Sequence, residues 1–384
     1  MRELENKTKY NMKDVLSVAN RLNNKKRSFL FVNRLQGKHI PCSPTEAVNF
    51  IGLLGNEVLE SVTGKVGVLA FAETATAIGA IVADVIGEDT YYITTTREKL
   101  DKDILVEFVE EHSHAPEQLL YGDANKIKEL DTLVLVDDEF TTCKTIENCV
   151  EQLKEKNLLK SDVKIILASL SNCLSDERYK ELEDRGYELK WLFRFDKGEQ
   201  AERQCECGCD KNNDIEEEDK VVVNNYEDIG KRNVLLTRMN FDIKTQFRTG
   251  CDIKELNEDC ELMRDVLKTI LKRCGNREVC VVGTEECMYK AIKLGEFIEK
   301  ECKPASVVTQ STTRSPIKTC KCDTYPIKNH IEFVSVYDKD RKTFLYNLKK
   351  YDIIILVTDT DKECLTGLIG ELSTYCKREC MVID

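Results

Sequence analysis

Short runs of aliphatic and β-branched residues alternate with stretches of helical periodicity along most of the chain. A strand that is buried on both faces is a nearly continuous apolar run, whereas an amphipathic helix repeats its apolar residues every three or four positions. The pattern therefore predicts an α/β fold with a largely parallel sheet. The predicted strands are 28–33, 66–71, 90–95, 133–137, 164–170, 189–195, 278–283, 305–310, 331–336 and 353–359.

Two of the stretches between these strands carry clear helix signals. The stretch 44–62 begins with a proline, a residue favoured in the first turn of a helix. The stretch 145–156 has helical periodicity, and its predicted buried face consists of Ile146, Cys149, Val150 and Leu153.

A polar, cysteine-bearing and acidic stretch interrupts the alternation between residues 196 and 220. A chain of 384 residues is long enough for two domains. We therefore predict a first α/β domain over 1–195, a polar, cysteine-rich and acidic linker over 196–232, and a second α/β domain over 233–384.

The two halves repeat a pattern. In 66–145 and again in 279–367, a strand leads to a turn with glutamate, a helix, a strand ending in Thr-x-Arg and an apolar strand ending in aspartate. The pattern favours a second domain that is a diverged duplicate of the first, and chance similarity of generic α/β units is the alternative.

Charge and cysteine content narrow the class of protein. The chain has 57 basic and 69 acidic residues and a formal net charge of -12, which disfavours binding to a nucleic acid backbone. Its 18 cysteines are scattered through a sequence that opens without an apolar signal segment, and its apolar runs are too short to span a bilayer. We therefore expect a cytoplasmic protein with no nucleic acid or membrane partner.

The strongest chemical signal is 133-LVLVDDEFTTCKT-145. A loop between a buried strand and a helix presents backbone N–H groups and the hydroxyls of Thr141, Thr142 and Thr145 to an anion at the positive end of the helix dipole. Asp137 and Asp138 repel phosphate, but they suit sugar hydroxyls or a Mg²⁺ shell. The segment favours a ribose 5-phosphate site over the alternative, an ordinary strand-turn-helix with a threonine cap.

This segment resembles the phosphoribosyl-pyrophosphate (PRPP) loop of the phosphoribosyltransferase family, with Cys143 where glycine is usual and Glu139 where an apolar residue is usual. The turn 71-FAETATAIG-79 is similar to the pyrophosphate loop of type I members. The resemblance implies that PRPP is bound by Ala72, Glu73, Thr74, Ala75, Thr76, Glu139, Thr141, Thr142, Cys143, Lys144 and Thr145, with Mg²⁺ held at Asp137 and Asp138.

The same resemblance implies catalytic roles for Asp137, Asp138 and Arg97, since Arg97 follows the strand where such enzymes carry a basic residue that reaches pyrophosphate. Residues 98–121 would form a mobile flap, in which His112 and His114 are candidates for acid-base chemistry or pyrophosphate binding; ordinary histidines of a solvated loop are the alternative. Lys38 and His39 are candidates for recognition of the acceptor, and a plain surface turn is the alternative.

The whole chain is similar to bacterial phosphoribosyltransferases that are encoded with tellurium-resistance and stress clusters and that carry a C-terminal domain named for a Thr-Arg-Ser-Pro sequence. The segments that carry this similarity are 37-GKHIP-41, 69-LAFAETATAIG-79, 112-HSHAPEQLLY-121, 137-DDEFTTCKT-145, 283-GTEECMY-289, 309-TQSTTRSPI-317 and 343-TFLYNL-348. The resemblance implies a type I phosphoribosyltransferase domain that transfers ribose 5-phosphate from PRPP to a small-molecule acceptor, in the biosynthesis of a nucleoside-like compound. A homodimer and binding to other proteins of the cluster remain open hypotheses.

Two rival functions stay open. The first is a PRPP-sensing regulator without turnover, which the retained flap with Arg97 and the histidine pair disfavours. The second is the reverse reaction, pyrophosphorolysis of a nucleotide, because the direction of an equilibrium does not follow from sequence.

In the second half, Glu285, Thr312, Thr313, Arg314 and Ser315 are predicted to line a pocket. Asp361 and Glu363 stand where a phosphate loop would lie, so we expect this pocket to prefer a cationic or neutral ligand. A domain that only stabilises the assembly is the alternative. Thiolate metal binding by Cys205, Cys207, Cys209, Cys320 and Cys322 is a weaker hypothesis, because their spacing is not that of a structural zinc site.

Overall fold

The computed structural model describes residues 1–22, 28–109, 117–198, 234–239, 247–360 and 362–384. The chain forms two compact units that interleave along the sequence. Unit 1 comprises Met1–Met12, Val48–Gly198 and Ile243–Leu262, and unit 2 comprises Lys13–Ala47, Glu199–Asp242 and Met263–Asp384. Within the described ranges, no helix has both the length and the apolar character that crossing a membrane requires.

The elements up to Gly198 follow the predicted alternation. The strands are β1 (Arg2–Asn6), β2 (Leu16–Asn20), β3 (Phe29–Asn33), β4 (Val66–Ala70), β5 (Tyr91–Thr96), β6 (Val106–Val109), β7 (Glu117–Leu120), β8 (Thr132–Phe140), β9 (Lys164–Asn172) and β10 (Tyr187–Asp196). The helices are α1 (Met12–Val15), α2 (Pro44–Leu59), α3 (Thr76–Ile86), α4 (Ala124–Lys128), α5 (Lys144–Glu155) and α6 (Asp176–Asp184).

The rest of the described chain repeats the alternation. The strands are β11 (Leu235–Met239), β12 (Cys251–Asp252), β13 (Glu278–Gly283), β14 (Ser306–Ser311), β15 (His330–Val334), β16 (Lys342–Tyr346), β17 (Tyr351–Val357) and β18 (Cys376–Ile383). The helices are α7 (Ile253–Leu271), α8 (Met288–Glu301) and α9 (Thr366–Thr374), and short 3₁₀ turns lie at Phe247–Thr249, Lys272–Cys274 and Lys362–Leu365.

Unit 1 is built on a sheet whose strands lie in the order β1-β10-β9-β8-β4-β5-β7-β6, with β12 on β5. The five central strands, β10 to β5, are parallel, and the pairs at the edges are antiparallel. The central strand β8 is buried from Thr132 to Val136, as its apolar sequence predicts. The α/β class with a parallel sheet is therefore confirmed for this unit.

Two helices pack on this sheet for reasons visible in the sequence. A Cβ atom on Gly79 of α3 would lie 2.5 Å from the Cβ of Ala70 on β4, so only glycine allows this close helix–strand approach. The predicted apolar face of α5 is buried, with Ile146, Cys149, Val150 and Leu153 in the core. Both helices therefore begin at defined positions next to the carboxyl end of a strand.

Unit 2 contains a fully parallel five-stranded sheet in the order β11-β18-β17-β13-β14. Its core includes Cys280, Val282, Ile354 and Leu356 from the central strands. Two antiparallel hairpins, β2–β3 and β15–β16, accompany the sheet. A second α/β unit is confirmed.

The two sheets share a strand order. Unit 1 has β9-β8-β4-β5 where unit 2 has β18-β17-β13-β14, so that in both the third strand along the chain lies between the fourth and the first. In both units an antiparallel hairpin follows the second strand, and helices follow the first and third strands. A duplication predicts this shared strand order, and common descent of the two units remains our interpretation of it.

Strand register gives the residue equivalences. Ala70 pairs with Val136 and Thr94, and Gly283 pairs with Val357 and Ser311. Counting onward from these pairs, Ala72 corresponds to Glu285, Glu73 to Glu286, Arg97 to Arg314, Asp137 to Thr358 and Asp138 to Asp359. By position in the repeated sequence pattern, Glu285 is expected to match Glu73, since each is a glutamate of the turn. The register sets Glu285 against Ala72 instead, one residue away, because the strand ends Ala70 and Gly283 occupy equivalent positions.

The segment 13–47 belongs to unit 2, although the sequence assigns it to the predicted domain 1–195. Strand β3 pairs with β2 in a separate hairpin, and Ala19, Leu30, Val32 and Ile40 share a core with residues 317–346. As limits of independently folding domains, the boundaries 1–195, 196–232 and 233–384 stay a prediction. Most of the predicted linker lies outside the described residues.

Candidate active site

The predicted PRPP residues of unit 1 follow three neighbouring strands, β8, β4 and β5, at their carboxyl ends. Open α/β sheets place ligands at this edge. The backbone N–H of Phe71, just after β4, donates to the carbonyl of Val136 on β8 at 3.0 Å, and the N–H of Ala72 donates to Thr95 Oγ1 on β5 at 2.8 Å. The structure therefore brings the two acids, the 72–76 turn and the Thr-x-Arg segment to one edge.

Asp137 and Asp138 lie near the carboxyl end of β8 and are less buried than the residues before them. Val136 is fully buried, whereas Asp137, Asp138 and Glu139 are only partly buried. The N–H of Asp138 donates to Asp137 Oδ1 at 2.9 Å, which fixes the Asp137 carboxylate beside the backbone. Two carboxylates at the solvent-facing end of a rigid strand can accept sugar hydroxyls or join a metal shell.

Cys143 occupies a position that glycine would adopt more easily. Its backbone is left-handed, with φ 59° and ψ 13°, and it directly precedes α5. Burial raises the pKa of its thiol well above the ordinary value, and the negative charge of Asp137 adds to that rise. The thiol therefore stays protonated at neutral pH and serves as a small apolar side chain.

The loop 141–145 is held from behind by an arginine that sequence reasoning missed. Arg178 Nε donates to the carbonyl of Thr142 at 2.9 Å, and its guanidinium pairs with Glu147 on α5. Glu147, with only 8% of its side chain exposed, also pairs with Arg185 at 2.8 Å. An acid in the first turn of α5 is a weak signal of this network, and nothing in the sequence around Arg178 indicates its partner.

The turn 72–75 connects β4 to α3. The Ala72–Glu73 peptide is cis. Gln118 Nε2, from the adjacent hairpin, donates to the carbonyl of Ala72 at 3.1 Å, and Thr76 Oγ1 donates to the carbonyl of Glu73 at 3.1 Å. Helix α3 begins without a side-chain cap, as does α5. The turn is thus fixed from both sides, and Gln118 is a second residue that the sequence did not single out.

The predicted flap contains an antiparallel hairpin, β6–β7, whose second strand pairs with the end of β5 through Thr95–Leu120 and Thr96–Leu119. Arg97 is partly buried directly after β5. His112 and His114 lie outside the described residues, so their roles and the mobility of the flap stay predictions.

Lys38 and His39, the candidates for acceptor recognition, lie in unit 2. Lys38 is completely buried, and its Nζ donates to the carbonyl oxygens of Glu285 at 3.0 Å and of Thr312 at 2.9 Å. His39 is buried with its ring 6.3 Å from the ring of Tyr346. These contacts all lie within unit 2, and acceptor recognition by Lys38 and His39 stays a prediction.

The predicted residues of the second unit do come together. The N–H of Glu285 donates to Thr312 Oγ1 at 2.8 Å, Arg314 Nε lies 2.5 Å from Glu285 Oε2, and the N–H of Ser315 donates to Thr313 Oγ1 at 3.2 Å. Asp361 lies outside the described residues, as does the side chain of Glu363. The expected preference of this pocket for a cationic or neutral ligand stays a prediction.

Metal ligation has limited support from geometry. In the parts of the chain that the structure describes, no three side chains of histidine, cysteine, aspartate or glutamate form a group that could hold a metal ion. Asp137 and Asp138 nevertheless fit Mg²⁺, which commonly binds one or two carboxylates together with substrate oxygens and water. Cys320 and Cys322 are described, whereas Cys205, Cys207 and Cys209 are outside the described residues.

Comparison with known proteins agrees with this geometry. Residues 15–193 match the family described as "Phosphoribosyl transferase", and residues 246–372 match the family described as "TRSP domain C terminus to PRTase_2". A search of curated proteins gives no match.

Solved structures of low identity also resemble part of the chain. The adenine phosphoribosyltransferase of Giardia lamblia, in complex with 9-deazaadenine, is 15% identical, covers 47% of this chain and 94% of its own, and has a TM-score of 0.36. The adenine phosphoribosyltransferase of Rhodothermus marinus is 12% identical, covers 48% of this chain and 96% of its own, and has a TM-score of 0.35. The orotate phosphoribosyltransferase of Aeropyrum pernix is 13% identical, covers 48% of this chain and 89% of its own, and has a TM-score of 0.30. These likenesses are too weak to support a substrate. The two family matches show a phosphoribosyltransferase domain over residues 15–193, followed by a TRSP domain over residues 246–372.

Proposed function

We propose that unit 1 catalyses the Mg²⁺-assisted transfer of ribose 5-phosphate from PRPP to a base or amine acceptor, with release of pyrophosphate, to make a nucleoside-like compound. The observation that carries the proposal is the meeting of three features at one sheet edge: the acids that end β8, the left-handed loop before α5, and the turn before α3. Each feature suits one part of PRPP.

The 5'-phosphate is assigned to the loop 141–145. The first N–H groups of a helix have no partner within the helix and carry partial positive charge, so they attract an anion. The hydroxyls of Thr141, Thr142 and Thr145 add donors. Cys143 and Lys144 belong to the same loop, and Glu139, near the end of β8, is the remaining residue assigned to PRPP binding. The bond from Arg178 to the Thr142 carbonyl supports the assignment, because it fixes the backbone that would receive the phosphate.

The ribose hydroxyls are assigned to Asp137 and Asp138. These carboxylates also have the chemistry to hold Mg²⁺, which would neutralise charge on the pyrophosphate group when bound. The register of β8 keeps the two acids at a fixed distance from the loop that follows, so the sugar and its phosphate are oriented together.

Pyrophosphate is assigned to residues 72–76 and to Arg97. Breaking the bond to C1' gives an oxocarbenium-like ribose and increases the negative charge on the departing pyrophosphate. Donors that are already in position stabilise that charge without reorganising. The hydrogen bond from Gln118 to Ala72 keeps the turn in position, and His112 or His114 would assist as an acid or as a pyrophosphate ligand.

The acceptor is not identified by these contacts. A homodimer and partners from a stress or tellurium-resistance cluster stay hypotheses of the sequence resemblance, and a cytoplasmic location stays an expectation from the cysteine usage and the short apolar runs of the sequence.

Isothermal titration with PRPP and Mg²⁺, followed by a screen for pyrophosphate release over bases and amines, tests the proposal. We expect binding to the wild-type chain and release of pyrophosphate with at least one acceptor. Binding without release over the whole screen would favour the regulatory alternative, and absence of binding would refute the proposal.

A further inference from the structure

In unit 2, a buried carboxylate lies where unit 1 has an alanine methyl group. Glu285 follows β13, has a left-handed backbone with φ 44°, and is 0% exposed. Its carboxylate accepts hydrogen bonds from Arg314 Nε at 2.5 Å, Arg341 Nη2 at 3.1 Å, Ser335 Oγ at 2.5 Å and Thr343 Oγ1 at 3.3 Å. Two guanidinium groups and two hydroxyls that converge on one point form a site for an oxyanion.

The surroundings of this carboxylate favour negative charge. Arg314 Nη2 also lies 3.1 Å from Glu286 Oε1, and Lys38 Nζ donates to the backbone carbonyl of Glu285. The side chain of Arg314 is 8% exposed and that of Arg341 is 20% exposed. Arg341 also pairs with Asp338, which is more exposed than Glu285, over a longer distance of 3.7 Å. Without Glu285, Arg314 and Arg341 would each lose a buried anionic partner, and breaking a buried ion pair by removing one partner is strongly destabilising.

One backbone hydrogen bond of this site has a counterpart in unit 1. The N–H of Ala72 donates to Thr95 Oγ1 and the N–H of Glu285 donates to Thr312 Oγ1, both at 2.8 Å. Thr95 and Thr312 each lie two residues before an arginine, Arg97 and Arg314. The two units therefore share this hydrogen bond and an arginine two residues after its threonine, and they differ in that unit 2 supplies a carboxylate to the site.

The hairpin of unit 2 is tied to the same carboxylate. Ser335, Arg341 and Thr343 all belong to the segment that includes β15, β16 and the turn between them, and each donates to Glu285. Tyr337 in this turn bonds to Thr284 and to Asp359, which end the neighbouring strands. The chain's own side chains therefore tie the hairpin to the strand ends.

We propose that unit 2 keeps an oxyanion site of the pyrophosphate class whose occupant is the chain's own Glu285 carboxylate, so that this unit is held closed and takes no PRPP. The assignment of the class rests on the proposed pyrophosphate role of residues 72–76 and Arg97, whereas the site itself rests only on the contacts of Glu285. One full chain should accordingly bind one PRPP.

Replacing Glu285 by the residue found in unit 1 tests this directly. In Glu285→Ala, the site should open and admit inorganic pyrophosphate, supplied without Mg²⁺. Glu285→Gln is the matched control, because the amide removes the charge but still fills the space. Thermal unfolding of both variants and of the wild type is followed with and without millimolar pyrophosphate, and calorimetry gives the affinities.

We expect pyrophosphate to raise the Tm of Glu285→Ala clearly more than that of Glu285→Gln or the wild type, with an affinity about tenfold or more above theirs, the scale of a lost charge-assisted bond. Equal shifts in all three proteins would overturn the proposal. A second PRPP site in the wild type that Arg314→Lys removes would also overturn it.

If Glu285→Ala does not fold in chloride buffer, its refolding yield becomes the measurement. A yield restored by pyrophosphate, with no such effect on Glu285→Gln, supports the proposal, and a yield that pyrophosphate leaves unchanged contradicts it. A wild-type chain that binds no PRPP would refute the function proposed for unit 1, but the comparison of the two Glu285 variants would still decide the nature of the site in unit 2.

Discussion

Arg178 Nε lies 2.9 Å from the carbonyl oxygen of Thr142, so a side chain from α6 fixes the backbone of the loop assigned to the 5'-phosphate. Within the loop itself, the bond from the Lys144 N–H to Thr142 Oγ1 is longer, at 3.4 Å. Arg178 touches no substrate in this account, and it acts by positioning the loop.

Arg178→Lys should therefore weaken PRPP binding. A lysine cannot donate to the Thr142 carbonyl and bridge to Glu147 with the same geometry, and loss of a hydrogen bond from a charged donor costs about 1.5 to 3 kcal/mol. We expect KM for PRPP to rise about tenfold or more, with a smaller change in kcat, in steady-state kinetics.

Arg185→Lys is the matched control for this experiment. Arg185 also pairs with Glu147, at 2.8 Å, but its described hydrogen bonds go to Glu147 and Glu181 and not to Thr142. If the two substitutions raised KM for PRPP equally, the ion pairs with Glu147 would determine PRPP binding and the bond to Thr142 would not.

The left-handed backbone of Cys143 predicts a difference between two substitutions. Cys143→Gly and Cys143→Ala both remove the sulfur, but only glycine removes the Cβ that disfavours φ 59°. We expect the glycine variant to be about 1 kcal/mol more stable than the alanine variant, measured by urea unfolding. An alanine variant as stable as the glycine variant would show that the loop has a different backbone in solution.

Arg97→Ala should lower kcat more than it weakens binding of PRPP, because the charge on pyrophosphate grows in the transition state. The loss should be about 3 to 4 kcal/mol at most, the scale of one lost oxyanion donor. Arg97→Lys, which keeps the charge, should recover part of the activity. A rise in KM with unchanged kcat would assign Arg97 to ground-state binding alone.

Local sequence was sufficient to predict the sheet and much of the proposed PRPP site. The apolar run of β8, the acids at its end and the buried face of α5 are short-range patterns, and each is present in the structure. Strand β18 was not predicted, since charged residues interrupt its apolar positions in CKRECMVI. Its pairing with β17 and β11 is a property of the whole sheet.

Long-range contacts account for the rest. The residues 28–41 have strand and loop signals that fit either unit, and only the packing of Leu30, Val32 and Ile40 with residues 317–346 assigns them to unit 2. The same is true of Lys38, since its partners are the backbone carbonyls of Glu285 and Thr312, more than two hundred residues away. Every residue has a backbone carbonyl, so a contact with one cannot be predicted from the sequence pattern.

Calorimetric titration of Mg²⁺-PRPP into the double variant Asp137→Asn, Asp138→Asn tests whether the two carboxylates of β8 bind PRPP. Both side chains are partly buried at a strand end, outside the core, so the variant should fold like the wild type, which circular dichroism would check. The amides match the acids in size but lack their charge, and we predict that binding of PRPP is lost. A folded double variant that binds Mg²⁺-PRPP with the affinity of the wild type would contradict the account.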